Sequence, residues 1–133
     1  MLIMEFDASC RKNPENLGGY GVVIKRDGKI IDELVGKLNM DDITSNRAEY
    51  LALIIGLKYL KSNYPDEPII CRGDSRLVIR QMIGESSVDT KSLFDLWKRA
   101  SKVAGDMNVS FECIDREDNK RADELSRRKI VPR

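Results

Sequence analysis

Apolar and polar positions along the 133-residue chain change period several times, and each change marks an expected element. Residues 2–8 (LIMEFDA) alternate as a strand and break into a loop at Ser9-Cys10-Arg11-Lys12-Asn13-Pro14. Gly18-Gly19 precedes a second alternating strand, 20–26, and Asp27-Gly28 is the strongest hairpin signal in the chain. The stretch 29–38 (KIIDELVGKL) then reads as a third strand, antiparallel to the second. From residue 44 the period becomes helical. Ala48, Leu51, Ala52, Ile55 and Tyr59 form a stripe that Leu53, Ile54, Leu57 and Leu60 widen, so a helix over about 46–62 should pack on the sheet. A short buried strand, 69–72, turns through Gly73-Asp74-Ser75 into a helix over 75–83 that Gly84 ends. A third helix over about 91–104 carries Leu93, Leu96, Trp97, Ala100 and Val103 on one side. The stretch 108–115 alternates as a last strand, and Asn119–Arg128 is a short polar helix. The order βββαβααβα implies an α/β fold, a mixed sheet with helices on its faces.

Composition narrows the chemistry. With 41% hydrophobic and 34% charged residues the chain has the make-up of an ordinary globular domain. No apolar run approaches the roughly 18 residues that span a bilayer, and the N-terminus lacks a signal-peptide pattern, so no membrane is expected and a cytoplasmic location is. Three cysteines at irregular spacing (Cys10, Cys71 and Cys113) make neither a disulfide framework nor a zinc site. Histidine is absent, which excludes Ser-His-Asp and Cys-His nucleophiles. A net charge of +1 announces no partner, although Arg72, Arg76, Arg80 and the run from Arg116 to Lys129 are locally basic. Carboxylates and a metal are the instruments that remain.

Four acids stand out. Asp7 interrupts a core-forming strand, Glu49 lies in the first turn of an apolar helix, Asp74 sits at a strand-to-helix junction and Asp123 is in the last helix. Each has a commoner structural explanation. Asp7 could open a turn, Glu49 could complete a capping box with Asn46, Asp74 could cap a helix, and Asp123 could pair with Arg127. Together they share a geometry. If the first and fourth strands are adjacent and parallel, all four acids come to one edge of the sheet. Crowded carboxylates need divalent cations, and oxygen-only ligands suit Mg²⁺ or Mn²⁺. Two such ions suit in-line phosphoryl displacement.

These motifs resemble the type 1 ribonucleases H over nearly the whole chain. FDASCRKNPENLGGYGVVI resembles that family's opening strand, loop and hairpin, TSNRAEYLALIIGL its helix signature, GDSRLVIRQM its third motif and REDNKRADELSR its last. The resemblance implies one ribonuclease H domain over 1–133, with a five-stranded sheet of order 3-2-1-4-5, strands one to three antiparallel, and helices on both faces. It implies metal ligation by Asp7, Glu49, Asp74 and Asp123, with two Mg²⁺ or Mn²⁺ ions, and endonucleolytic hydrolysis of the RNA strand of RNA–DNA hybrid by a monomer, leaving 5′-phosphate and 3′-hydroxyl ends. Asn13, Ser45 and Asn46 match substrate-binding positions, and Arg76 falls at one where the family often has Gln, which shifts the implied contact towards phosphate. Two departures stand against the family pattern. The loop before Asp123 lacks the histidine many members carry, leaving Arg116, Glu117 or Asp118 as substitutes, with Glu117 favoured. The basic protrusion of some members is missing, and 84–92 is short and not basic. Double-stranded RNA remains open as a further partner. The competing functions are another nuclease of the same fold and a module that binds hybrid or double-stranded RNA without cutting it.

Overall fold

The computed structural model describes residues 1–11 and 17–129. Its elements run β1 (Leu2–Arg11), β2 (Leu17–Arg26), β3 (Lys29–Leu38), α1 (Ser45–Asn63), β4 (Ile69–Gly73), α2 (Arg76–Met82), α3 (Lys91–Gly105) and β5 (Val109–Cys113), then a 3₁₀ turn (Arg116–Asn119) and α4 (Lys120–Arg127). The sheet has the expected order β3-β2-β1-β4-β5. β1, β2 and β3 pair antiparallel, while β4 lies parallel to both β1 and β5. Asp27 and Gly28 take φ of 52° and 77°, so both turn residues have the left-handed backbone that a two-residue hairpin requires.

β1 and β2 run further than their apolar patterns suggest. Ser9, Cys10 and Arg11 pair with Gly19, Gly18 and Leu17 where a loop was expected. Side-chain alternation is blind to this because a ladder needs only backbone groups, and polar side chains can face neighbours that satisfy them.

The two faces of the sheet are covered unequally. Leu2, Met4, Phe6, Val22 and Ile24 point to one side and pack against Tyr50, Leu53, Leu57 and Leu60 of α1, with Val78, Ile79, Leu96 and Ala100 completing the cluster. Full burial of each large apolar side chain here stabilises the fold by about 1.5–3 kcal/mol. The opposite face carries a much smaller cluster, Val23 of β2 with Ala122 and Leu125 of α4.

Two helix starts differ from expectation in a way that frees acids. α1 is capped by Thr44, whose side chain accepts from the Arg47 N–H at 3.2 Å, so Glu49 is not in a capping box with Asn46. α2 is capped by Ser75, which accepts from the Val78 N–H at 3.4 Å, so Asp74 is not the cap. In both cases a neighbouring hydroxyl takes the backbone donor and leaves the carboxylate available. No helix among the described residues is long and apolar enough to cross a membrane.

Candidate active site

β1 and β4 pair only as far as Glu5 and Arg72. Past that point β4 turns into α2 while β1 continues along β2, and a crevice opens between them. This is the topological switch of the sheet, because the chain leaves β1 towards β2 and β3 on one side and returns to β4 and β5 on the other. Asp7 and Asp74 lie just beyond the last paired residues, one on each bank.

Glu49 arrives from α1. Its Oε1 accepts from the Ala8 N–H at 2.7 Å, a bond that fixes the carboxylate against the unpaired edge of β1. Asp7 is 6% and Glu49 7% exposed, so neither charge is open to bulk water. Asp7, Glu49 and Asp74 each place a carboxylate oxygen within 4.8 Å of the others. Burial, helped by the charge of Asp74, pushes the Asp7 carboxyl up to about 7. Burial and then the charge of Asp7 push Glu49 up to about 10. The second Glu49 oxygen, Oε2, is buried without a hydrogen-bond partner. A cluster of repelling carboxylates with an orphaned buried oxygen fits a hard divalent cation, which would neutralise the charge and take the free oxygen as ligand.

The fourth acid stands a little apart. Asp123 comes from α4, lines the same cleft and accepts from Arg127 Nη2 at 2.8 Å. The i,i+4 pairing expected from sequence is therefore present, and it does not remove Asp123 from the cleft. Ser45, Asn46 and Arg76 also line this opening of about 460 Å³. Glu117 does not. It is exposed on the 3₁₀ turn, and the residues of that segment that line the cleft are Asp115 and Arg116. Asn13 lies outside the described residues. Ser9 and Arg127 line the cleft as well and were not singled out as site residues from sequence. Only the spacing of Arg127 from Asp123 hinted at its place.

Comparison with known proteins decides the family. A family model described as reverse transcriptase-like matches residues 5–129. The curated ribonuclease H of Escherichia coli is 31% identical, over 91% of this chain and 83% of its own length. This chain belongs to the type 1 ribonuclease H family. Among solved structures, the ribonuclease H1 of the halophilic archaeon Halobacterium salinarum is 31% identical with a TM-score of 0.84, covering 93% of this chain and 92% of that one. LC11-RNase H1, solved in complex with an RNA/DNA hybrid, is 32% identical with a TM-score of 0.84, over 94% and 93% of the two chains. In this ribonuclease H family member the crevice acids come from β1, α1, the β4–α2 junction and α4.

Proposed function

We propose that this chain hydrolyses the RNA strand of RNA–DNA hybrids endonucleolytically, leaving 5′-phosphate and 3′-hydroxyl ends. The observation that carries this reading is the convergence of Asp7, Glu49 and Asp74 on one point with the Glu49 Oε2 left unpaired. These three, with Asp123, would hold two divalent ions, Mg²⁺ or Mn²⁺. When bound, such ions supply Lewis-acid polarisation of the phosphate and allow water to act as nucleophile at neutral pH.

The chain's own residues supply orientation. The Ala8 N–H holds Glu49 in one direction, so the carboxylate meets its ligand without reorganising. Ser45 and Asn46, exposed at the start of α1, offer hydrogen-bonding groups suited to the 2′-hydroxyls displayed in a minor groove. Arg76, and Arg116 in the segment without histidine, offer charge to phosphates, and Asn13 would extend that contact. Glu117, exposed and outside the cleft lining, would take no part in the reaction. The three free cysteines, Cys10, Cys71 and Cys113, suit a reducing cytoplasm, where the chain would act as a monomeric single domain.

The test is cleavage of one labelled sequence presented as RNA–DNA hybrid, double-stranded RNA and double-stranded DNA, each with Mg²⁺, Mn²⁺ or EDTA. We expect metal-dependent cutting of the RNA strand of the hybrid, and the double-stranded RNA arm decides whether that substrate is also accepted. Folded protein that binds hybrid and leaves it uncut with either metal would overturn the reading in favour of a binding module. Cutting confined to DNA would favour another nuclease of this fold.

A further inference from the structure

Asp7, Glu49 and Asp74 are placed by elements built into the main core, but Asp123 is not. Its helix, α4, is eight residues long, and its apolar seat on the sheet is the small cluster of Val23, Ala122 and Leu125. So short a helix has little stability of its own, so its place on the sheet depends on what it contacts there. The Arg121 guanidinium ties the outer side of the helix to Glu33 of β3, and two buried polar fastenings flank Asp123 itself.

The first is Asn119, immediately before α4. Where the β1–β4 ladder stops, the Phe6 carbonyl on the crevice edge accepts from Asn119 Nδ2 at 2.9 Å. Asn119 is 0% exposed, and its Oδ1 has no hydrogen-bond partner. Leaving that oxygen unsatisfied costs stability that an apolar residue would avoid, so packing alone does not account for the amide. The second is Ser126, also 0% exposed. Its hydroxyl donates to the Asp123 carbonyl at 2.7 Å, and its oxygen lies 2.8 Å from the Ser9 hydroxyl. A hydroxyl has one proton, and that of Ser126 is committed to Asp123, so Ser9 is the donor between the two serines. Ser9 lies two residues past Asp7, on the same face of β1. The backbone of Asp123 is thus tied through Ser126 and Ser9 to the strand that carries Asp7.

We propose that Ser126 and Asn119 are positioning residues that hold Asp123 against Asp7 and so set the place of the fourth acid in the site. The proposal rests on the metal-site reading above. Neither residue touches the reacting atoms; both act through Asp123.

The test combines Mn²⁺ titration calorimetry with steady-state hybrid cleavage on the wild type, Ser126→Ala, Asp123→Asn and the double variant. Ser126→Ala removes one oxygen and should lower both Mn²⁺ affinity and kcat about tenfold, as loss of a residue that orients a metal ligand does, with KM changed less than twofold. In the Asp123→Asn background the same substitution should change neither. Losses that recur undiminished in that background, or that follow only a fall in Tm, would show a merely structural serine and overturn the proposal. If Ser126→Ala melts below the assay temperature, Ser9→Ala cuts the same chain of bonds from its partly exposed end. Asn119→Asp, the same size without the donor when ionised, interrupts the other fastening. Each should reproduce the Ser126→Ala pattern, and wild-type Mn²⁺ affinity in both overturns the proposal. Wild-type protein that binds Mn²⁺ but leaves hybrid uncut sinks the functional reading instead, and calorimetry alone then decides the positioning role.

Discussion

The two faces of the sheet hold the site by different means. On the α1 face, Phe6, Tyr50 and Leu53 belong to one large cluster, and Glu49 stands one residue from the most voluminous fully buried side chain, Tyr50. On the α4 face three apolar residues seat a whole helix, and hydrogen bonds at Asn119 and Ser126, with the Arg121–Glu33 ion pair to β3, do the rest. Three acids are therefore set by dense packing that cannot deform locally, while the fourth is set by shape and polar contacts that can be altered one atom at a time. A site assembled this way separates stability from function. Damage to the first face should unfold the protein, and damage to the second should misplace a charge.

The largest effect expected on turnover tests the rigid side directly. Asp74 is not a helix cap, because Ser75 performs that role, so its carboxylate charge is dispensable for the fold. Asp74→Asn should slow hybrid cleavage roughly 10³-fold, on the scale of removing one charge-stabilising group from an active site, with circular dichroism and Tm unchanged. Turnover near the wild-type rate would remove Asp74 from the mechanism and leave the crevice with too few ligands.

Gly21 should come next. It pairs with Asp7 across β1 and β2, and α4 lies so close above it that an added Cβ would stand 2.3 Å from the Ala122 carbonyl oxygen and 2.8 Å from the Ser126 nitrogen. Both neighbours are backbone atoms, so the helix itself must move. Gly21→Ala should displace Asp123 by about 1 Å and slow turnover roughly 10²-fold. The same overpacking should cost about 1–3 kcal/mol of stability. Wild-type turnover in a folded Gly21→Ala would mean that the site tolerates movement of α4, and the contrast between the two faces would lose its functional meaning.

A matched pair of truncations then compares the faces on stability. Leu53 is buried in the large cluster and Leu125 in the small one. Leu53→Ala should fall near the top of the ~2–5 kcal/mol range for such changes and Leu125→Ala near the bottom, because the small cluster has less to lose and can close up more easily. At a temperature where both variants are folded, the order of turnover should reverse, with Leu125→Ala the slower enzyme. Denaturant melts and kcat for the two variants suffice, and equal ratios of rate loss to stability loss would contradict the separation.

How much of this was legible in the sequence follows the same division. Dense packing leaves periodic apolar patterns, so α1 and the strands around the Asp27-Gly28 hairpin could be anticipated, whereas the sheet order and the choice of the four acids came from the resemblance to the type 1 ribonucleases H. Caps were harder to read. Asn46 and Asp74 are as good on paper as Thr44 and Ser75, and only the backbone geometry decides between them. The α4 seat left no pattern at all. Gly21 reads as an ordinary strand glycine, Ser9 as the start of a loop, and Ser126 as a small polar residue of a polar helix; their roles exist only once β1 and α4 are in contact. The same blindness affected the segment without histidine. Arg116 and Glu117 are adjacent and both charged, but a 3₁₀ turn aims one at the cleft and the other at solvent.

The smallest effect expected concerns pH and is centred on Asp7 and Glu49. Burial, aided by the charge of Asp74 at Asp7 and by that of Asp7 at Glu49, raises these carboxyls above their ordinary values of 3.8 and 4.5, to about 7 for Asp7 and higher for Glu49. A raised acid binds its proton more tightly in the folded state than in the unfolded one. Without metal, the folded protein therefore holds more protons from about pH 4 upward, and its stability should fall as pH rises through about 7. A divalent cation opposes this by stabilising the ionised form, so Mg²⁺ should raise Tm more at pH 8 than at pH 5, by a difference of order 5 °C. In Glu49→Gln the repulsion is reduced, and the metal-free protein should melt above the wild type at pH 8. Substitutions that only shift α4, such as Gly21→Ala, should leave most of this pH dependence in place, since burial and the charge of Asp74 raise the Asp7 carboxyl more than Asp123 does. Thermal melts at the two pH values, with and without Mg²⁺, check both points. An equal Mg²⁺ shift at pH 5 and pH 8 would show that the cation does not act through ionisation of these acids, and that the buried carboxylates carry no electrostatic strain to relieve.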